Sequence, residues 1–573
     1  MNKNKFITFI FIVLFFNIAF IFAAENVSDK IIREQTQEKI KLERERQLQE
    51  KQQIKQKTIV DVKPKPSKQI TKSKNCIKIK EINTSQFDLV KDSLIEHIKR
   101  NYENKCLYNT DMAKFIDKLV RLHQAQGFVT TKIGLKLPQQ KLKQGILEVG
   151  LQKGFLNEID INTKAPNKSF VKAILFNDLL NKPLNINKLG QRIDSINRLS
   201  SHQAQIKIKP SSKPYYSDLE VIDNKKDYQK FYVSFDNSGS KATGINKVII
   251  DAQIDDFILP LSKWSLNFST PMDTDRDLSD SNSYNLSISL PYQNYLLSYQ
   301  ATKSDYMTNQ VLTTGDIFYS FGKTHTNKFT ITRYINKTKY YKNSLKLALD
   351  LRDEKNYSRV RDVTTFNKIG SRKLAVISLS YEHTINFKNR QVLFLNPTLR
   401  QGIKGFDALD DADFDLEQKA QFSLFKFYGY LSAPFTIKDK NLTWQIEWDA
   451  QISEDSLFGA EVFSIGGESS VRGFKKDSLS SESGFYIKND LTININQLIP
   501  KSYNLNANLL LSTFVDYGRI YNTAKNYKEL SGIGSKISYQ HKNLELSLAM
   551  AKNTQRDEII EKHAIYFDIK YKF

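Results

Sequence analysis

The sequence predicts a transmembrane β-barrel of about 16 antiparallel strands, preceded by two small α+β domains and a charged N-terminal helix. Three observations predict it. From Phe231 to the end, segments alternate apolar and polar residues between polar loops, with no helical pattern. Residues 76–222 carry the order strand-helix-helix-strand-strand twice. The closing segment sets Ile565, Phe567, Ile569, Tyr571 and Phe573 on one face against Asp568, Lys570 and Lys572 on the other, an apolar strand face ending in an aromatic residue.

The bulk numbers agree. A mean hydropathy of −0.47 excludes a helical membrane protein, which needs repeated apolar stretches of about 20 residues. A barrel is still allowed, because its alternating strands average to a polar composition. The one long apolar run is residues 6–22, after a basic start and before Ala23 and Ala24. Residues 1–24 are therefore expected to be a secretory leader, with a signal anchor as the alternative, and the mature chain works outside the cytoplasm. The net charge of +23 by itself suits nucleic acid. Its lysines are spread along the whole chain without a nucleic-acid motif, so no such partner is expected.

Residues 25–75 form the first mature segment. Residues 28–58 are rich in Glu, Gln, Lys and Arg, with opposite charges three and four apart and almost no apolar face. Such a helix belongs in a polar cavity or in water, and a solvated tail is the alternative. Pro64 and Pro66 then stiffen a linker.

Residues 76–155 read as the first α+β domain. Leu89, Leu94 and Ile98 give residues 87–102 helical spacing, and Met112, Phe115, Ile116, Leu119 and Leu122 do the same for 111–126, with Gly127 as the C-terminal cap. Strands are expected at 76–82, 128–136 and 145–151. Residues 156–223 repeat the order, with helices at 168–179 and 186–200. Cys76 and Cys106 are the chain's two cysteines and share the first domain. In an oxidising compartment they are expected to be bridged, with two buried free thiols as the alternative.

The barrel is expected over 228–573. Its clearest strand is 441–450, where Leu442, Trp444, Ile446, Trp448 and Ala450 alternate with polar residues. At roughly 10 residues per strand plus turns and outer loops, the span holds about 16 strands. Residues 407–417 are acidic but lack the spacing of a known calcium loop, so they read as a solvated outer loop. Neither metal nor cofactor is expected. The chain has no G-x-S-x-G, H-E-x-x-H or phosphate-binding loop, and it does not read as an enzyme.

Several motifs coincide in order. In the first domain they are Cys76 opening a strand, Lys105-Cys106-Leu107, residues 126–131 from Gln126, and 140–147 from Gln140. In the second they are residues 182–186 and 196–200. Asp236, Gly239, Thr243 and Gly244 follow the first barrel strand. Gly466 to Phe474 contains Val471-Arg472-Gly473-Phe474, and Asp516 and Gly518 lie in residues 514–518. Together these resemble the outer-membrane transporters of two-partner secretion, the hemolysin-secretion and filamentous-adhesin type, over nearly the whole chain.

The resemblance implies that the α+β domains are POTRA domains and that 466–474 is a loop dipping into the lumen, with Val471-Arg472-Gly473-Phe474 at its tip. It implies an inward acidic motif at Asp516, and residues 28–58 as a plug. Where the family places a Glu on the strand after the loop, this chain has Asp490, with a shorter reach. Strand alternation puts Asp516 inward if Val515 faces lipid, so a salt bridge from Arg472 to Asp516 is expected, with Asp490 as the rival partner. The implied partners are a large secreted exoprotein bound by the POTRA domains, outer-membrane lipid, and the barrel assembly machinery during biogenesis. The implied place is the outer membrane, with ATP-independent export as the function. An outer-membrane protein assembly factor and a passive porin are the competing readings.

Overall fold

In a computed structural model, the chain is described over residues 29–38, 40, 41, 43, 44, 73–84, 86–163, 167–226, 229–239, 244–272, 280–311, 317–338, 340–360, 367–413, 417–475, 478–499, 506–522, 527–555 and 561–573. The expected leader, the helix beyond residue 44, the Pro64–Pro66 linker and Thr243 lie outside these residues.

Sixteen antiparallel strands close into one barrel, from Gln229–Asp236 to His563–Lys572. Five residue pairs, from Asp568↔Asp236 to Lys572↔Tyr232, join the last strand to the first. Closure leaves no backbone edge toward lipid, where an unpaired N–H or C=O costs several kcal/mol. The alternation in the sequence becomes inside and outside. On Lys440–Ser453, Trp444 and Ile452 point outward at 44% and 61% exposure, while Asp449 and Gln451 are buried inward. The last strand exposes Ile565, Ile569, Tyr571 and Phe573 on the same outer face.

Each α+β domain packs helices on a three-stranded sheet. The first joins Glu81–Asn83, Ile146–Gln152 and Lys132–Lys136 beneath Asp92–Lys99 and Asn109–Ala125, with Phe115, Leu119 and Leu147 at its centre. It also has a two-stranded ribbon absent from the sequence expectation, Ile77–Ile79 with Lys105–Leu107. Cys106 lies in this ribbon and Cys76 directly before it, and their sulfurs are bonded, with Cα atoms 5.4 Å apart. The strand expected from Phe128 starts only at Lys132, and a short helix, Gln139–Lys143, precedes the next strand.

Gly127 ends the long helix at φ +97°. A Cβ there would lie 2.5 Å from the Asn185 side chain of the second domain. Its carbonyl accepts from Ile186 N at 2.9 Å, so the domains meet where only glycine fits.

The second domain is seated on the near end of the barrel, the end that receives the chain from the two domains. Leu261, in the turn after Lys247–Asp255, joins the second domain's apolar core at 1% exposure. Arg198 donates to the Leu261 carbonyl at 3.0 Å and to Ser289 at 2.7 Å. Lys337, on another strand, pairs with Asp194 at 2.6 Å. His202 lies between Asp223 of its own domain and Asp256 of the barrel turn, at 2.6 and 2.8 Å. Burial opposes its charge, but the two carboxylates prevail and raise its pKa to about 9. Asp256 is drawn down to about 2: burial works against it, and His202 and Lys225 overcome that.

Candidate functional site

Two elements fill the lumen: the N-terminal helix and the loop that follows Lys440–Ser453. Polar strand positions alternate inward, so the interior is wet and charged rather than packed.

The loop's fixed part begins at the short strand Phe463–Ile465, paired with Leu479–Ser481. Phe463, Ile465, Val471 and Phe474 then build a small apolar core against Tyr486, Ile520 and Leu530 of the barrel wall. Gly466, Gly467 and Gly473 sit at φ +109°, +96° and +110°, backbone angles that resist side chains, so the glycines permit the fold-back. Ser470 closes the turn, its hydroxyl accepting from Gly466 N at 2.9 Å.

Arg472 is buried at 5% exposure and Asp516 completely. Asp516 Oδ2 accepts from Arg472 N at 3.0 Å and Nε at 2.6 Å, while Oδ1 accepts from NH2 at 2.7 Å. Asp490 does not compete with this pair. It takes the other edge of the guanidinium, NH1 at 2.8 Å and NH2 at 3.0 Å. One planar fork thus serves two carboxylates on neighbouring strands, and its face lies 3.5 Å from the centre of the Phe514 ring. Val515, next to Asp516, is 55% exposed on the outer face. A Cβ on Gly518 would lie 2.9 Å from Val471.

Gly532, which the sequence reading missed, matters as much: a methyl there would collide with the Arg472 carbonyl. Its signal was available, since Gly532 and Gly534 stand two apart on one strand face. Of the residues expected after the first strand, Asp236 Oδ1 caps Ser238 N at 2.8 Å, and Gly239 packs onto the Gly244 carbonyl.

The helix runs beside the loop. Asp29 lies against Gly459, and Gln37 Nε2 donates to the Ser464 carbonyl at 3.5 Å. Lys41 pairs with Glu468 at 2.7 Å. Arg44 bonds Asp449 at 2.6 Å, donates to the Tyr486 hydroxyl at 3.0 Å, and lies 4.0 Å from the centre of the Tyr428 ring. The helix does have a short apolar foot: Ile31 and Ile32 are buried with Tyr306 and Ala460.

From Asp29 a chain of alternating charges crosses the inner wall through Arg372, Glu354, Arg352, Glu461, Arg400 and Asp350. Sequence reasoning missed this network too, though Asp350, Arg352 and Glu354 show it as charges two apart in a strand.

Comparison with known proteins gives this arrangement relatives. The family model described as haemolysin secretion/activation protein ShlB/FhaC/HecB matches residues 215–539. A ShlB-type POTRA model matches 77–154, and a POTRA model matches 156–210. The chain is 26% identical over 452 residues to the outer membrane transporter CdiB of Dickeya dadantii (strain 3937), covering 78% of this chain and 77% of the relative. It is 23% identical over 521 residues to the hemolysin transporter protein HpmB of Proteus mirabilis, covering 90% and 87%. Among solved structures, CdiB from Escherichia coli matches with a TM-score of 0.80 at 23% identity, covering 96% of this chain and 99% of that one.

Proposed function

The chain belongs to the haemolysin secretion/activation family ShlB/FhaC/HecB, and from that premise we propose how it moves an exoprotein across the outer membrane. A leader at residues 1–24 delivers it to the periplasm. The POTRA domains meet a large secreted client there, offering strand edges to which an extended segment adds. The client then passes through the lumen without ATP, and its folding outside gives the movement direction.

The observation that carries this reading is what fills the lumen. The helix is held there largely by partly exposed ion pairs, which water or a passing chain can replace, while the loop is anchored by buried contacts. The Arg472–Asp516–Asp490 cluster fixes the loop in its transport-competent position, and the helix plugs the pore at rest. Outer-membrane lipid and the barrel assembly machinery are the remaining partners.

The test is export: cells lacking the chain should retain its secreted client, and restoring the chain should return the client to the surface. A client that reaches the surface equally well without the chain refutes the reading.

A further inference from the structure

A cavity of about 1570 Å3 lies beside the helix and reaches from the inner wall to Arg121 and Gln126 at the end of the first POTRA domain's long helix. Its barrel side is mostly Ser, Thr and Asn, such as Ser265, Asn285, Thr332 and Ser380. Among the described residues it is lined by twelve Lys and Arg against five Asp and Glu, an excess of seven positive charges. Asp350 and Glu461 pair with the lining Lys328 and Arg400, Asp117 with Arg121 on the domain surface, and Glu447 lies 3.9 Å from Arg44; counting these four leaves an excess of three.

The helix supplies Glu38, Glu43 and Arg44 to this lining. The lining it leaves behind on departure keeps eleven cations against three carboxylates, or against seven once Asp117, Asp350, Glu447 and Glu461 are counted. On the opposite wall Arg472 is offset by two carboxylates, Asp516 and Asp490. Lipid-facing positions exclude lysine, so the chain's positive surplus collects on inward positions and loops.

We infer that this conduit is built to pass an acidic chain: its positive wall concentrates anions and draws carboxylate-bearing segments of the client inward from the POTRA side. The inference rests on the secretion reading and adds the chemistry of what is carried. Charge of one sign inside low-dielectric walls focuses the field, giving potentials of several kT. A mean potential of only one kT raises anions and lowers cations e-fold each, a permeability ratio of about seven.

The experiment uses planar bilayers with a KCl gradient, the full-length chain and a variant lacking residues 28–58. The reversal potential is expected to show anion preference, stronger in the deletion variant. Lys263→Gln, Arg390→Gln and Lys426→Gln are each expected to shift it toward zero. Twenty-residue glutamate-rich peptides added on the POTRA side are expected to interrupt the current more often than lysine-rich ones. A cation preference, an absence of preference, or stronger block by lysine-rich peptides overturns the inference while leaving the pore intact. A deletion variant that conducts nothing refutes the conduit itself, and the inference with it.

Discussion

Asp516→Asn is the sharpest probe of the lumen loop. Asp516 is fully buried and accepts three hydrogen bonds from Arg472, one from the backbone N–H that sets the loop tip. The substitution keeps one acceptor oxygen, removes the charge, and turns an amide NH2 toward guanidinium donors. Breaking a buried pair from one side costs about 3–5 kcal/mol, because the remaining charge is left uncompensated. Asp490 still holds the other edge of Arg472, so the lower end, about 3 kcal/mol, applies. At 1.4 kcal/mol per tenfold, the docked-to-undocked ratio of the loop falls roughly a hundredfold. The assay has two readouts at equal outer-membrane abundance: client export, and tryptic cleavage of the loop at Arg472 and Lys475. Both should change, and Asp490→Asn should change them less, because its side chain is 21% exposed. Arg472→Lys should not rescue, since one ammonium cannot span both carboxylates. The charge swap Arg472→Asp with Asp516→Arg should recover little, because it sets a new carboxylate against Asp490. Parental export by Asp516→Asn, with the loop still protected, would refute the reasoning.

Three further outcomes are expected. Closing the loop between Cys76 and Cys106, 30 residues apart, stabilises by about 3–4 kcal/mol in the chain-entropy model, so denatured protein should take up alkylating reagent only after reduction. Deleting residues 28–58 should raise single-channel conductance while some export persists; unchanged conductance counts against the plug. The raised pKa of His202 makes its share of the POTRA–barrel contact complete below the unfolded value near 6.5 and lost as pH climbs through about 9, an effect of about 3 kcal/mol. Protection factors of residues 201–226 and 256–262, which remove the intrinsic base-catalysed rise of exchange, should therefore fall between pH 7 and 9.5 in the parent and lose that pH response in His202→Gln.

Periodicity made the architecture legible. Period two along 441–450 and 565–573 fixed which side chains meet lipid, and the Met112–Leu122 spacing marked the first domain's long helix. Geometry between distant segments was not legible in the same way. Strand alternation turned Asp516 inward and the family resemblance placed Arg472 on a lumen loop, but only the folded wall sets Asp490 on the neighbouring strand at a distance where one guanidinium bridges both. The sequence therefore presented Asp490 as a rival. Likewise, nothing local to Asp256 marks it as a partner of His202, 54 residues earlier, which the folded turn brings within 2.8 Å. Signals local to one strand were readable; contacts that exist only after closure and docking were not.

For the proposed plug role, ion pairs in place of apolar packing have a physical consequence: they favour release. A helix seated on a continuous apolar stripe gains about 1.5–3 kcal/mol for each fully buried large side chain, and several such residues make release slow. Here Ile31 and Ile32 are the apolar residues of the helix that join a buried cluster. The pairs at Lys41 and Arg44 remain 21–29% exposed on the helix side, and partly solvated pairs are worth about 1 kcal/mol or less each. The deeper Asp29–Arg372 contact sits at one end, where Arg372 keeps Glu354 as a partner once the helix has gone. Departure therefore strands no buried charge on the wall at that point. In the proposed cycle a retention of a few kcal/mol lies within what an arriving chain can supply through its own contacts with the same wall residues.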